Sequence, residues 1–91
     1  MSLPKSIKFV GEGAFRDCAA LKKVVFREGL LHMEDSVFEN CEKLESVSIP
    51  STVLYMGQRI FANCDEVVVK CKEGSLAHKY CIENGVQTEL V

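Results

Sequence analysis

A chain of 91 residues, 47% apolar and with a formal charge of -2, is at most one ordinary domain, small enough to bury only a modest share of its surface. Its charges of both signs are interspersed, which argues against nucleic acid or an anionic membrane as the default partner. No apolar run reaches the roughly 18 residues of a membrane span. Met1-Ser2-Leu3-Pro4 leads straight into patterned sequence, without the layout of a signal peptide; this reads as an intracellular protein or, preferably, as a piece of a longer one.

A period runs through the chain. Ala14-Phe15-Arg16-Asp17-Cys18 returns as Val37-Phe38-Glu39-Asn40-Cys41 and as Ile60-Phe61-Ala62-Asn63-Cys64, each step being 23 residues. Other columns keep the same step: Leu3, Phe26 and Ile49; Ile7, Leu30 and Val53; Val10, Met33 and Met56. Gly11 and Gly57 match, with Glu34 between them. A fixed period of this size marks stacked units, each covering its neighbour's apolar edge.

Taken in order, the first unit has a turn at Glu12 to Asp17 and a strand at Leu21 to Phe26. In the second, Leu44 to Ile49 alternates Val47 and Ile49 against Ser46 and Ser48, a strand with one buried face, ended by Pro50-Ser51. Val53 to Met56 is a second short extended piece. Ile60, Phe61 and Cys64 then suit a single helical or 3₁₀ turn. Strands of successive units start at the same point of the coil and must run parallel. After the third strand, Val67 to Cys71, the pattern changes. Ser75 is an N-cap and Gly85 a C′ residue, with Leu76/Tyr80 and Ala77/Cys81 forming one apolar stripe. This predicts a helix over about 75–84 and a short strand over 86–90. The domain plan is therefore three repeats over 3–71 and a C-terminal cap over 72–91. At the other end, the layer of Ile7, Val10 and Phe15 has only Met1 and Ser2 before it, which suggests a longer array or self-association through an uncapped N-terminal edge.

The five cysteines include no CxxC pair, and Cys64, Cys71, His78 and Cys81 are too loosely spaced for a recognisable zinc site. Cys18, Cys41 and Cys64 share a column and read as small core hydrophobes. His32 shares a column with Phe9 and Tyr55 and reads as a half-exposed aromatic-like filler; His78 falls on the polar side of the predicted helix. Neither has a nucleophile placed beside it, so no catalytic residue and no cofactor or metal site is expected. Gly11-Glu12-Gly13 lacks the context of a dinucleotide loop, the acidic residues are not spaced as in a calcium loop, and no Asn-x-Ser/Thr sequon occurs.

The columns resemble the BspA-type (Treponema pallidum type) leucine-rich repeat, whose unit reads Ile-x-x-Ile-Gly-x-x-Ala-Phe-x-x-Cys-x-x-Leu-x-x-Val-x-Ile-Pro. The first unit supplies Ile7, Val10, Gly11, Ala14, Phe15, Cys18, Leu21, Val24 and Phe26; the later units supply the same columns through Ile49, Pro50, Gly57, Phe61, Cys64 and Val67. The segment from Gly74 to Gly85 is similar to the family's terminal helix. Departures are Glu34 for glycine and Phe26-Arg27 where Ile-Pro is usual. The resemblance implies an α/β repeat solenoid: a gently curved right-handed coil with a parallel β-sheet on its concave side, short helical turns and a capping helix. It also implies a non-catalytic protein-interaction module from a surface-exposed or secreted adhesin-like protein.

The candidate contact surface is the outward side of the sheet: Lys23, Val25 and Arg27 from the first strand, Ser46 and Ser48 from the second, Val68 and Lys70 from the third. The partner expected is a protein, with no nucleic acid and no membrane insertion. The alternatives are that this face is merely solvated on a structural spacer, or that the cysteines serve metal or redox chemistry.

Overall fold

The computed structural model describes residues 1–91. Six short strands form two parallel sheets along the repeats: β1 (Phe9–Val10), β3 (His32–Met33) and β5 (Tyr55–Met56) in one, and β2 (Lys23–Val25), β4 (Ser46–Ser48) and β6 (Val68–Cys71) in the other. A helix, α1 (Leu76–Asn84), follows, and a last strand, β7 (Gln87–Leu90), joins the second sheet beside β6. The register follows the sequence period: Phe9 pairs with His32 and His32 with Tyr55, while Val24 pairs with Val47. Between β4 and β6 the step shortens to 22, since Val47 pairs with Val69. The second extended piece of each unit is thus a sheet of its own, where the sequence indicated a single sheet.

The turns form a third hydrogen-bonded side. Phe15, Phe38 and Asn40 donate their N–H groups to the carbonyls of Val37, Ile60 and Ala62 in the next unit, while Ala14 and Cys18 close local turns onto Gly11 and Phe15. This alternation needs left-handed residues at fixed places. Gly13, Ser36 and Arg59 occupy one such column, with φ of 62°, 59° and 58°; Asp17, Asn40 and Asn63 occupy another, at 63°, 64° and 60°. Asp and Asn tolerate that region better than most residues. Their side chains also form a ladder: Asn63 Nδ2 donates to Asn40 Oδ1 at 2.6 Å and Asn40 Nδ2 to Asp17 Oδ1 at 2.9 Å.

The core lies between the three sides. Leu30, Met33, Val37, Phe38, Leu44, Val47 and Ile60 are wholly buried. Phe15, Phe38 and Phe61 stack nearly parallel, with centroids 5.3 and 5.7 Å apart, and Tyr80 of α1 closes the column edge-on at 6.5 Å. Phe38 and Phe61 are buried, whereas Phe15 at the N-terminal edge is half-buried. The cysteines are more than small hydrophobes: Cys41 Sγ donates to Phe15 O and Cys64 Sγ to Phe38 O, both at 2.9 Å, so each thiol satisfies a carbonyl of the preceding unit. Cys18 is half-buried.

Both ends differ from the middle. Ser75 caps α1 by accepting from His78 N–H at 3.2 Å, Gly85 ends it in the left-handed region, and Ala77 and Cys81 face the core. The N-terminal edge is less bare than the sequence suggested. Met1 to Leu3 lie along β2, with Leu3 N–H donating to Val25 O and Val25 N–H to Met1 O, so these residues add a partial strand to the second sheet. Ile7 remains half-buried there, while Val10 is 6% exposed.

Candidate protein-contact surface

Outward side chains of the second sheet form two rows because alternate residues of a strand face the same way. Lys23, Ser46 and Val68 are aligned in one row, and Val25, Ser48 and Lys70 in the other. Lys23 and Val25 are exposed; Ser46, Ser48, Val68 and Lys70 are half-buried. The structure therefore brings six of the seven expected residues into one continuous surface. Arg27 lies just past the end of β2, exposed, with Nη2 donating to Ser2 Oγ at 3.0 Å.

Both rows are longer than the sequence indicated. β7 adds Gln87 beside Val68 and Glu89 beside Lys70, and the Ser2 bridge extends the second row at its other end, past Val25. The alternation of residues 86–91 could reveal a strand, but its place beside β6 depends on the path of α1 between them, which no local pattern encodes.

The first sheet carries a different face. Phe9, His32 and Tyr55 stack as a ladder, with centroids 5.1 and 4.5 Å apart. Phe9 and Tyr55 are exposed, as are Leu31 and Leu54 next to them, and the His32 Nε2 is in contact with Glu34 Oε2. The column of His32 and its half-exposure were legible; its place on a second sheet was not.

Four of the five thiols are held in their protonated form by burial. Burial pushes Cys64 up to about 11 and Cys81 up to about 12, and it also raises Cys41 and Cys71. A thiol that stays protonated at neutral pH is a poor nucleophile and a poor metal ligand. The imidazole of His78 accepts from Gly74 N–H through Nδ1 at 3.0 Å, tying it to the start of its own helix. No group of three or more His, Cys, Asp or Glu side chains converges as metal ligands would, and no helix is long and apolar enough to cross a membrane.

A family model described as a BspA type leucine rich repeat region of six copies matches residues 1–76. The chain belongs to the BspA-type leucine-rich repeat family. No curated protein and no solved structure matches it. The BspA-type columns coincide with the physical demands seen in the stack. The repeat phenylalanine supplies the stacked rings, and the repeat cysteine supplies the donor to the preceding unit's carbonyl. The repeat glycine is exacting at Gly57, where a Cβ would lie 2.8 Å from both Asp35 N and Glu34 C; at Gly11 only Phe9 Cε1 stands nearby, at 3.7 Å. The family's glycine is thus needed where a unit lies tightly under its predecessor's turn. Family membership makes the chain a repeat module and suggests one of the protein-interaction type.

Proposed function

We propose that this chain is a non-catalytic contact module, a short solenoid whose concave strand face binds a partner protein through Lys23, Val25, Arg27, Ser46, Ser48, Val68 and Lys70. The observation that supports this most is the alignment of those residues in two rows over adjacent parallel strands, with no ion pair consuming Lys23, Arg27 or Lys70. Stacked repeats offer extended surfaces of this kind, and unpaired cations on them favour encounter with a complementary partner. The raised thiols and the tethered His78 favour contact over catalysis, and no cofactor is needed for it. The family resemblance supports a place in a longer surface or secreted adhesin-like array. The test is a triple variant, Lys23→Ala with Arg27→Ala and Lys70→Ala, compared with the parent against an isolated partner. The expected result is about a tenfold loss of affinity with unchanged melting temperature; unaltered affinity would exclude this face.

A second contact is supported by the N-terminal edge. Phe15 stacks on Phe38 on one side only, and Ile7, Cys18 and Leu21 are half-buried there. Another repeat layer, such as a second copy brought edge to edge, would complete their burial. Sedimentation over a range of concentrations tests it: a monomer at every concentration would rule out a stable edge-to-edge dimer.

A further inference from the structure

Past the strand face, at the C-terminal ends of β2, β4 and β6, lies an open cavity of about 460 Å³. Phe26 and Ile49, 4% and 3% exposed, and the half-buried Pro50 give it an apolar lining, and Lys5, Arg27 and Lys72 contribute cations. Sheet register explains the grouping. Val25, Ser48 and Lys70 are aligned, so two residues further along the same strands stand Arg27, Pro50 and Lys72. The turn after the preceding strand supplies Lys5.

These cations are free. Lys5, Arg27 and Lys72 take part in no ion pair, and Arg27 gives one N–H to Ser2 Oγ. On the turn side, by contrast, Arg16 and Arg59 both reach Glu39, whose carboxyl is held below its usual range chiefly by the hydrogen bond from Arg59. Charge is divided between the sides. The stretches 11–20, 34–43 and 57–66 hold eight of the thirteen carboxylates and only three of the eleven Lys and Arg residues. An acidic chain overall therefore presents a cationic mouth at its strand ends. Glu28 is the acidic side chain lining it.

We infer that this cavity docks an extended acidic segment of the partner protein, seating one apolar side chain against Phe26, Ile49 and Pro50 while flanking carboxylates meet Arg27, Lys5 and Lys72. This rests on the contact reading of the adjoining strand face and adds Lys5 and Lys72 to it. Carboxylates fit better than a phosphate backbone, because a nucleic acid needs a longer track of cations than these three provide.

The probe is the peptide acetyl-Glu-Glu-Leu-Glu-Glu-amide, titrated into the isotopically labelled full chain at low salt and again at about 0.3 M salt. The expected outcome is saturable binding that weakens with salt, with amide shifts centred on Ser51 and Lys72. The analogue with glutamine for every glutamate should bind about tenfold more weakly, as should Lys5→Glu and Lys72→Glu, while Lys79→Glu on α1, an equal change of charge, should bind like the parent. Four results would overturn the inference: no saturable binding, equal binding of the glutamine analogue, equal damage from Lys79→Glu, or tighter binding of a short oligonucleotide. If the strand-face alanine variant loses a protein partner while the peptide fails to bind, the contact face stands and the acidic segment alone is wrong.

Discussion

Phe38 shows what one residue does in a stack. It is wholly buried, lies between Phe15 and Phe61, and meets Phe26 edge-on at 6.1 Å. Truncation to alanine opens a void that two rigid rings cannot close, so Phe38→Ala should cost about 3–5 kcal/mol in denaturant titration. A loss below about 1 kcal/mol would mean that the column collapses easily. The thiols make a prediction about pH. Cys64 and Cys81 are pushed to about 11 and about 12 from an ordinary value of 9.0. Below pH 9 both folded and unfolded chains keep these protons, and stability is unaffected. Between pH 9 and about 11 to 12 the unfolded chain gives them up while the folded chain holds them, so stability must fall as pH rises. Melting temperature should be level up to about pH 8.5 and decline above it, less steeply in Cys81→Ala. A decline just as steep in that variant would assign the effect to other groups.

At the scale of elements, legibility followed the length and regularity of the signal. The Ser75 to Gly85 helix has a cap at each end and an apolar stripe, and it was readable from sequence with its boundaries. The strands Lys23–Val25, Ser46–Ser48 and Val68–Cys71 were readable because one buried face imposes alternation and a shared period gives the register. The first sheet was legible only as the extended piece Val53 to Met56; its pairing into a separate sheet was hidden because its strands have two residues each, too few to show alternation, and are held by neighbours above and below. The left-handed columns were written as Asp17, Asn40 and Asn63 but needed the hydrogen-bonded ladder to be understood. The outward rows of the strand face were legible from β2 to β6, whereas β7 and the basic mouth arise from chain paths that no local pattern encodes. Ser75→Ala tests the cap directly. It deprives His78 N–H of its acceptor and should cost about 1 kcal/mol, with fraying of the first helical turn visible in amide exchange. Unchanged exchange at Ala77 and His78 would show that packing alone fixes the helix start.

For the molecule as a whole, the question is whether so few units behave as one. In a long array each unit meets only its neighbours and unfolding can spread from any point. Here the ends are tied to the middle by named contacts. Tyr80 of α1 accepts from Ile60 N–H at 3.3 Å and meets Phe61, which stacks on Phe38, which stacks on Phe15. A lesion in the cap should therefore be felt at the first unit. Ala77→Asp provides one, because Ala77 is 1% exposed within the apolar core and a carboxylate there would lose its water. If the stack is a single cooperative body, this variant loses strand and helix signals together, and transitions followed by Tyr55 and Tyr80 fluorescence coincide with those followed by circular dichroism. If the cap merely undocks, helix signal disappears while the first two units keep their melting transition. That outcome would show the column of rings to be a set of pairwise contacts rather than one connected core.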